Sequence, residues 1–365
     1  MNVQDRATRL DRDDPLRGMR DAFDLPNGRV YLDGNSLGAL PRCASERVRE
    51  VVDQQWGRDL ITSWNVHDWV NLPLRVGEKI APLIGAAPGQ VICCDSISVN
   101  LFKLLATALA LRSPRRVILT CAGDFPTDAY MAQGLQSLLG ADRCEIRAAA
   151  AGNLVQALDE SVAVLLLTEV DFRSGMRHDM RALTAAAHDS GALVLWDLAH
   201  SAGAMPVALD DCGADMAVGC GYKFLNGGPG APAFLYLAER HQGQVAQPLS
   251  GWFGHAAPFA FAPGYNPAPG IASYQAGTPG VIGMQALDAA LELFVDVDPG
   301  SLRRKSLALT AFFMQGVAAD AALSAMQVLT PAEDAQRGSQ VSLRHPEAYA
   351  IAQCLIHDGV IVDFR

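Results

Sequence analysis

The sequence predicts an α/β fold, a mostly parallel sheet covered by helices on both faces, followed by a smaller α+β unit. Three observations predict it. Short apolar runs recur from about residue 90 to about residue 240. Ala- and Leu-rich stretches of helical spacing lie between most of them. Beyond residue 281 the pattern changes to helices with sparser strands. Continuous apolar strands joined by helical crossovers are the mark of a sheet buried on both sides.

In chain order, the first fourteen residues are polar and acidic, with no apolar leader. The apolar runs are Val91–Cys94, Val117–Thr120, Cys144–Ala148, Ala163–Thr168, Leu193–Asp197, Met216–Cys220 and Ala233–Leu237. Leu101–Leu111, Asp128–Leu139 and Met180–Ser190 supply helical crossovers. The connection Gly221–Pro232 is rich in Gly and Pro and is not helical, so Ala233–Leu237 is expected to run antiparallel. Residues 245–280, rich in Gly, Pro and aromatics, form a long ordered loop of the kind that carries function. Ile282, Ala286, Ala289 and Leu293 predict one helix over Val281–Val297. A helix over 301–318, strands near 325–330 and 339–344, a helix over 346–358 and a strand Val360–Asp363 complete the chain. The expected division is residues 1–60 contributing to the small domain, 61–285 as the large domain, and 286–365 as the small domain.

The 365 residues are 50% hydrophobic and 19% charged, an ordinary globular composition. A net charge of −10 argues against a general nucleic-acid or anionic-membrane binder. No apolar stretch is long enough to span a bilayer. None of the 8 cysteines forms a Cys-x-x-Cys pair or a zinc-finger spacing with histidine. They read as small buried residues in a reducing compartment, the expectation is a cytoplasmic protein, and no metal site is assigned.

The predicted strand ends carry the chemistry. Lys223 follows Met216–Cys220 and precedes a glycine-rich turn, Gly227-Gly-Pro-Gly230. Taken alone it reads as a solvated edge lysine. Asp197 closes an apolar strand and reads equally as a helix cap. His200, three residues on, is by itself a surface histidine. Ser96 and Ser98 open a helix, where free N–H groups and hydroxyls bind phosphate or simply cap. Phe125 offers a flat ring and Asp128 a carboxylate after the next strand, unless Pro126 merely enters a helix. Thr168 and Asp171 follow at another strand end. Pyridoxal 5'-phosphate needs a lysine for its aldehyde, a carboxylate for its ring nitrogen, an aromatic cover and a phosphate cradle. Sheets of this type place such sites at strand ends. Their joint occurrence points to a pyridoxal-phosphate enzyme.

Longer strings carry a resemblance. Tyr31-Leu-Asp-Gly-Asn-Ser-Leu-Gly38, Ser63-Trp-Asn65, Asn100-Leu-Phe-Lys103, Asp124-Phe-Pro-Thr-Asp128, Trp196-Asp-Leu-Ala-His-Ser-Ala-Gly203, Tyr222-Lys-Phe-Leu-Asn-Gly-Gly-Pro-Gly230 and Gln247-Pro-Leu-Ser-Gly-Trp-Phe-Gly-His255 are similar to the kynureninase family. The resemblance implies the fold-type-I pyridoxal-phosphate transferase fold, with a mostly parallel seven-stranded large domain and a smaller α+β domain. It implies a homodimer with active sites at the subunit interface. Lys223 would hold the cofactor aldehyde and Asp197 the pyridine nitrogen. Phe125 would stack on the ring, with Ser96, Ile97, Asp128, His200 and Tyr222 completing the shell. Trp252 and Thr278 would reach the phosphate from the other subunit, and Tyr274 is the candidate for a further tyrosine that the family uses near the loop after Trp252. Trp64 and Gly277 would shape the pocket for the aryl ring and point to the unhydroxylated substrate over 3-hydroxykynurenine.

The implied reaction is hydrolysis of L-kynurenine to anthranilate and L-alanine, within tryptophan degradation, the kynurenine pathway and NAD biosynthesis. Lys223 is the implied base and Tyr222 assists at the aryl carbonyl. The family continues past Val360–Arg365 into a segment whose arginine clamps the substrate carboxylate. This sequence reaches Arg365 first, outside that motif, so the small domain is expected to be truncated. Two alternatives stay open: a cofactor-binding subunit of impaired activity, and another fold-type-I lyase such as a cysteine desulfurase. The latter needs a mobile nucleophilic cysteine, and Cys354 lies in a predicted helix.

Overall fold

The computed structural model describes residues 3–365. Its strands are β1 (Val30–Tyr31), β2 (Val91–Cys93), β3 (Val117–Cys121), β4 (Glu145–Ala149), β5 (Val162–Thr168), β6 (Leu193–Asp197), β7 (Met216–Cys220), β8 (Ala233–Leu237), β9 (Gln327–Val328), β10 (Leu343–Arg344) and β11 (Val360–Ile361). A seven-stranded sheet has the order β2-β8-β7-β6-β5-β3-β4. Pairings from β4 through β7 are parallel, and β8 is antiparallel to both β7 and β2. The Gly- and Pro-rich connection after β7 does return the chain antiparallel, because it carries no crossover helix.

Every residue of β5, β6, β7 and β8 is buried. One apolar cluster packs on each face of the sheet, which is why these strands read as unbroken apolar runs. The small residues of β7 have a packing reason. Gly219 pairs with Phe234 of β8, and a Cβ there would lie 2.3 Å from the phenyl ring. The helices Ile97–Leu111 and Met180–Asp189 are capped by Ser96 and Asp179, which accept from the N–H groups of Val99 and Ala182.

The C-terminal third departs from expectation in detail. The helix expected over Val281–Val297 is α-helical only over Val281–Ala290 and tightens to a 3₁₀ turn over Leu291–Phe294. Ile282 is 41% exposed, while Met284, Leu287 and Leu291 are buried, so the inward stripe differs from the one the spacing suggested. Pro299 opens the next helix, Pro299–Ala319, under an Asp298 cap, and a residue preceding proline disfavours helix. The strands near 325–330 and 339–344 shrink to the two-residue antiparallel pair β9–β10. The last strand shrinks to β11, which pairs in parallel with β1. The helix Arg42–Glu50 packs against Val281–Ala290, with Arg47 donating to Gln285 at 3.1 Å.

Asp215, at the root of β7, ties several elements together. Its carboxylate accepts from the Val194 N–H of β6 at 2.8 Å and from Arg240 at 2.7 Å, and it contacts the Nε2 atoms of His188 at 2.8 Å and His241 at 2.7 Å. Burial pushes its pKa up, but His188, His241, the Val194 N–H and Arg240 outweigh burial and hold it well below the ordinary 3.8. A carboxylate with a depressed folded-state pKa gives stability that is present above the unfolded value and lost as pH falls through the folded one. Asp215→Ala is therefore expected to cost about 3 kcal/mol at pH 7, read as a lower urea midpoint. The difference from wild type should shrink as pH is lowered below 3.8.

Candidate active site

Asp197 ends β6, and Lys223 follows the neighbouring strand β7 in a tight loop. In that loop the Asn226 N–H returns to the Lys223 carbonyl at 2.9 Å, and Gly227 N–H to the Gly221 carbonyl at 2.8 Å. The segment Tyr31–Gly38 closes over it. Gly38 N–H donates to the Tyr222 carbonyl at 2.8 Å, and a Cβ on Gly38 would sit 2.3 Å from the Lys223 carbonyl oxygen. Only glycine allows that approach.

Lys223 opens into a cavity of about 350 Å³ with Asp95, Ser96, Ile97, Ser98, Phe125, Thr127, Thr168, Phe172, Asp197, His200, Cys220 and Tyr222 on its wall. The structure thus brings Ser96, Ile97, Phe125, Asp197, His200, Tyr222 and Lys223 to one space. Lys223 Nζ lies 3.0 Å from His200 Nε2 and 5.9 Å from the ring centroids of both Phe125 and Tyr222. Burial and the Lys223 charge push the His200 pKa down to about 3, so this imidazole is neutral at pH 7. Burial pushes the Tyr222 hydroxyl up to about 12, so it is protonated there.

Asp197 is buried, and one oxygen accepts from the Ala199 N–H at 2.8 Å. Burial raises its pKa, while the Ala199 N–H and the Lys223 charge lower it. Asp128 lies in the helix Pro126–Leu139 at 1% exposure, and neither carboxylate oxygen has a hydrogen-bond partner. Burial and the negative charges of Asp197 and Asp124 push its pKa well up. Asp124 accepts from the Thr168 N–H at 3.3 Å and hydroxyl at 3.2 Å, and burial pushes it up to about 7.

Beneath the Ser96 turn, the fully buried Lys103 bonds Asp95 at 2.6 Å and the Tyr274 carbonyl at 2.6 Å. Sequence reasoning assigned Asp124, Thr127, Phe172, Cys220 and Lys103 no site role. Asp124, Cys220 and Lys103 stand inside or beside quoted motifs, which was the available signal, whereas Phe172 has none. Cys121, Asp124 and His178 bring one ligand atom each within 4.8 Å of one another. Both oxygens of that Asp124 already accept from Thr168.

Other expected residues lie elsewhere in the chain. Trp252 is 44% exposed in an aromatic cluster with Phe253, Phe259 and Phe261, at centroid distances of 4.8, 5.7 and 6.2 Å. Trp64 packs on Phe253 at 5.7 Å in the same cluster. Gly277 and Thr278 are exposed. None of these four lines the cavity around Lys223. Tyr274 is 2% exposed, its hydroxyl meets Thr107 at 2.9 Å within the core, and it does not line the cavity.

The residues present fit pyridoxal 5'-phosphate. Asp128 is not on the cavity wall, but it interacts electrostatically with Asp197 and Lys223, which are; a buried carboxylate without a partner is costly, and a ligand bringing a donor or a positive charge to it would satisfy it. The start of the Ile97–Leu111 helix, with Ser96 and Ser98, suits a phosphate. Phe125 lines the cavity and is 40% exposed. Asp128→Asn is expected to act with opposite signs on the two forms. Cofactor-free protein should gain about 1 kcal/mol, because a buried charge repelled by its neighbours is removed. Affinity for the cofactor should fall at least about tenfold. Thermal melts and a cofactor titration check both.

Sheet, lysine, carboxylate and phosphate turn together define a fold-type-I pyridoxal-phosphate enzyme. Solved structures share the fold. A C-DES mutant with glycine covalently linked to its PLP cofactor superposes with a TM-score of 0.82 at 17% identity, over 95% of this chain and 91% of that one. The Escherichia coli cysteine desulfurase CsdA gives 0.78 at 19% identity, over 94% and 86%. Sequence relatives are closer. Kynureninase from Deinococcus radiodurans is 54% identical over 361 residues, covering 98% of this chain and 87% of that protein. Kynureninase from Burkholderia pseudomallei is 50% identical over 370 residues, covering 100% and 89%. The family model for the kynureninase C-terminal domain matches residues 302–365. The chain belongs to the kynureninase family.

Proposed function

We propose that this chain uses pyridoxal 5'-phosphate to hydrolyse L-kynurenine to anthranilate and L-alanine. The observation that carries the reading is the convergence of Lys223 and Asp197 on one cavity, in a chain 54% identical to a kynureninase. The cysteine desulfurase alternative rests on fold alone. Its required thiol is not on the cavity wall at Cys354, which is exposed on the helix Ala348–His357.

When bound, the cofactor supplies an aldehyde that condenses with amines and a protonated ring that accepts an electron pair from Cα. Asp197 would keep the ring nitrogen protonated. Ser96 and the Ile97 N–H would hold the phosphate at the helix start, Phe125 would cover the ring, and Asp128 would accept a hydrogen bond from the cofactor. Lys223 Nζ takes the proton from the substrate Cα. The neutral Tyr222 hydroxyl donates a proton at the aryl carbonyl oxygen. Water adds at that carbon, the bond from it to Cβ breaks with the electron pair going to Cβ, and Cβ takes up a proton; the water oxygen leaves in the carboxylate of anthranilate and the three-carbon remainder leaves as L-alanine.

We further infer a homodimer. Trp252, Thr278, Trp64 and Gly277 lie away from the cavity of their own chain, and the exposed Trp252, Phe259 and Phe261 form an apolar face suited to a second copy. In that arrangement Trp252 and Thr278 reach the partner's phosphate, and Trp64 and Gly277 border the aryl ring, favouring the unhydroxylated substrate. The pairing of β1 with β11 supports grouping residues 1–60 with the 286–365 unit, beside the large domain of 61–285. Buried free thiols such as Cys93 and Cys94 support a reducing, cytoplasmic setting, and the reaction fits tryptophan degradation and NAD biosynthesis.

The test is incubation of cofactor-loaded protein with L-kynurenine, following anthranilate fluorescence and assaying alanine. Equal amounts of both are expected. Absence of anthranilate, or sulfur release from cysteine in its place, would reject the reading.

A further inference from the structure

A chain of hydrogen bonds runs from Lys223 into the C-terminal unit. Lys223 Nζ lies 3.0 Å from His200 Nε2, His200 Nδ1 lies 3.0 Å from Gln340 Oε1, and Gln340 Nε2 donates to the Phe172 carbonyl at 2.8 Å. The last bond decides the direction of the others. A backbone carbonyl only accepts, so the atom facing Phe172 must be the amide nitrogen. The Gln340 oxygen therefore faces His200 and also accepts, which requires the hydrogen on Nδ1. A neutral imidazole protonated at Nδ1 carries its lone pair on Nε2, aimed at the lysine.

Gln340 is held for this task. Gly338 N–H donates to the Gly175 carbonyl at 2.8 Å, Arg177 N–H to the Gln336 carbonyl at 2.8 Å, and Thr330 to the Ser174 carbonyl at 2.7 Å. Gly175, at φ +72°, leaves room where a Cβ would come within 2.9 Å of the Gln340 side chain. The segment after β5 is thus docked on the C-terminal unit through two backbone bonds and the Thr330 hydroxyl, in the stretch that carries Gln340.

We propose that Gln340 is a positioning residue that fixes the His200 tautomer, so that Nε2 serves as a permanent acceptor for the Lys223 amine. The inference rests on the reading of Lys223 as the cofactor-linked base. When substrate displaces it, the free Lys223 amine has a hydrogen-bond partner on the side away from the reacting carbon. Its proton is held by His200 without the histidine itself becoming charged. Contact between the C-terminal unit and the sheet is thereby transmitted to the reactive amine. The charged groups facing His200 are Lys223 and Arg365, and Asp197, Asp128, Cys220 and Tyr222 surround the lysine.

Two measurements test it. In cofactor-free protein with ¹⁵N-labelled histidine, His200, assigned by its disappearance in His200→Asn, is expected to show a protonated Nδ1 and an unprotonated Nε2. Nε2–H as the dominant tautomer would overturn the proposal, whatever the enzyme's substrate. In reconstituted holoenzyme, the pH at which the visible cofactor band titrates should move in opposite directions in two variants. Gln340→Glu keeps the acceptor and adds negative charge, raising that acid dissociation midpoint by at least about threefold in proton affinity. Gln340→Leu frees the ring to turn N–H toward the lysine, lowering it by a similar factor. A merely structural residue would move both variants the same way or not at all, and either result would overturn the proposal. Failure of kynurenine turnover with the tautomer intact would reject the proposed substrate and leave this inference standing.

Discussion

Lys223→Ala is expected to abolish the visible absorption of the lysine-linked cofactor and to lower turnover of kynurenine by about 10⁴-fold or more. On the proposed roles two losses combine: the amine that would anchor the aldehyde and the base that would take the Cα proton. The fold should survive. The loop around residue 223 is held by backbone bonds, from Gly38 to Tyr222 and from Asn226 to the Lys223 carbonyl, that do not use the amine. Far-ultraviolet circular dichroism should be unchanged. Removing the cation leaves Asp197 and Asp128 without the positive charge that lowers their pKa values, so both carboxyls rise further. Lys223→Arg should be about as inactive, because a guanidinium keeps the charge but does not give up its proton near neutral pH. Retention of the visible band in Lys223→Ala, with anthranilate formed within tenfold of wild type, would remove Lys223 from the chemistry.

The large sheet was legible because its strands are buried on both faces. Leu193–Asp197, Met216–Cys220 and Ala233–Leu237 read as unbroken apolar runs and stand in the structure with those bounds. The antiparallel turn of β8 was legible from composition, since Gly221–Pro232 cannot make a crossover helix. The C-terminal unit was blurred because β9, β10 and β11 are two-residue pairs, too short for alternation to show. Within the site, residues close to the chain turns of β6 and β7 were found, since motif and strand end coincide there. Gln340 was not. It reaches His200 across 140 residues of sequence, and nothing in Gly338-Ser-Gln340 marks an amide that orients an imidazole. Tyr274 is the opposite case: a tyrosine in a functional-looking loop turns into the core to meet Thr107. Trp252 and Thr278 do not line the cavity of their own chain, a placement that spacing alone does not give and that only the family resemblance, with its second subunit, led one to expect.

Asp197→Asn separates the two roles open to that residue. The carboxylate accepts from the Ala199 N–H at 2.8 Å, which is a structural, cap-like bond at the end of β6. An asparagine oxygen accepts the same bond, so a purely structural Asp197 predicts nearly wild-type behaviour. The cofactor role predicts otherwise. A buried neutral amide does not favour a proton on the ring nitrogen, and the ring then accepts the Cα electron pair less readily. We expect kcat to fall about 10²–10³-fold, the scale of losing one preorganised electrostatic partner at a developing charge. The melting temperature of cofactor-free protein should hold or rise, because a carboxylate whose burial already raises its pKa, and which repels Asp128, has been neutralised. A melting temperature and a kcat both close to wild type would assign Asp197 to the cap alone. The two outcomes differ by orders of magnitude on rate while the fold stays intact in both, so one variant decides between a carboxylate that shapes the strand end and one that keeps the heterocycle charged.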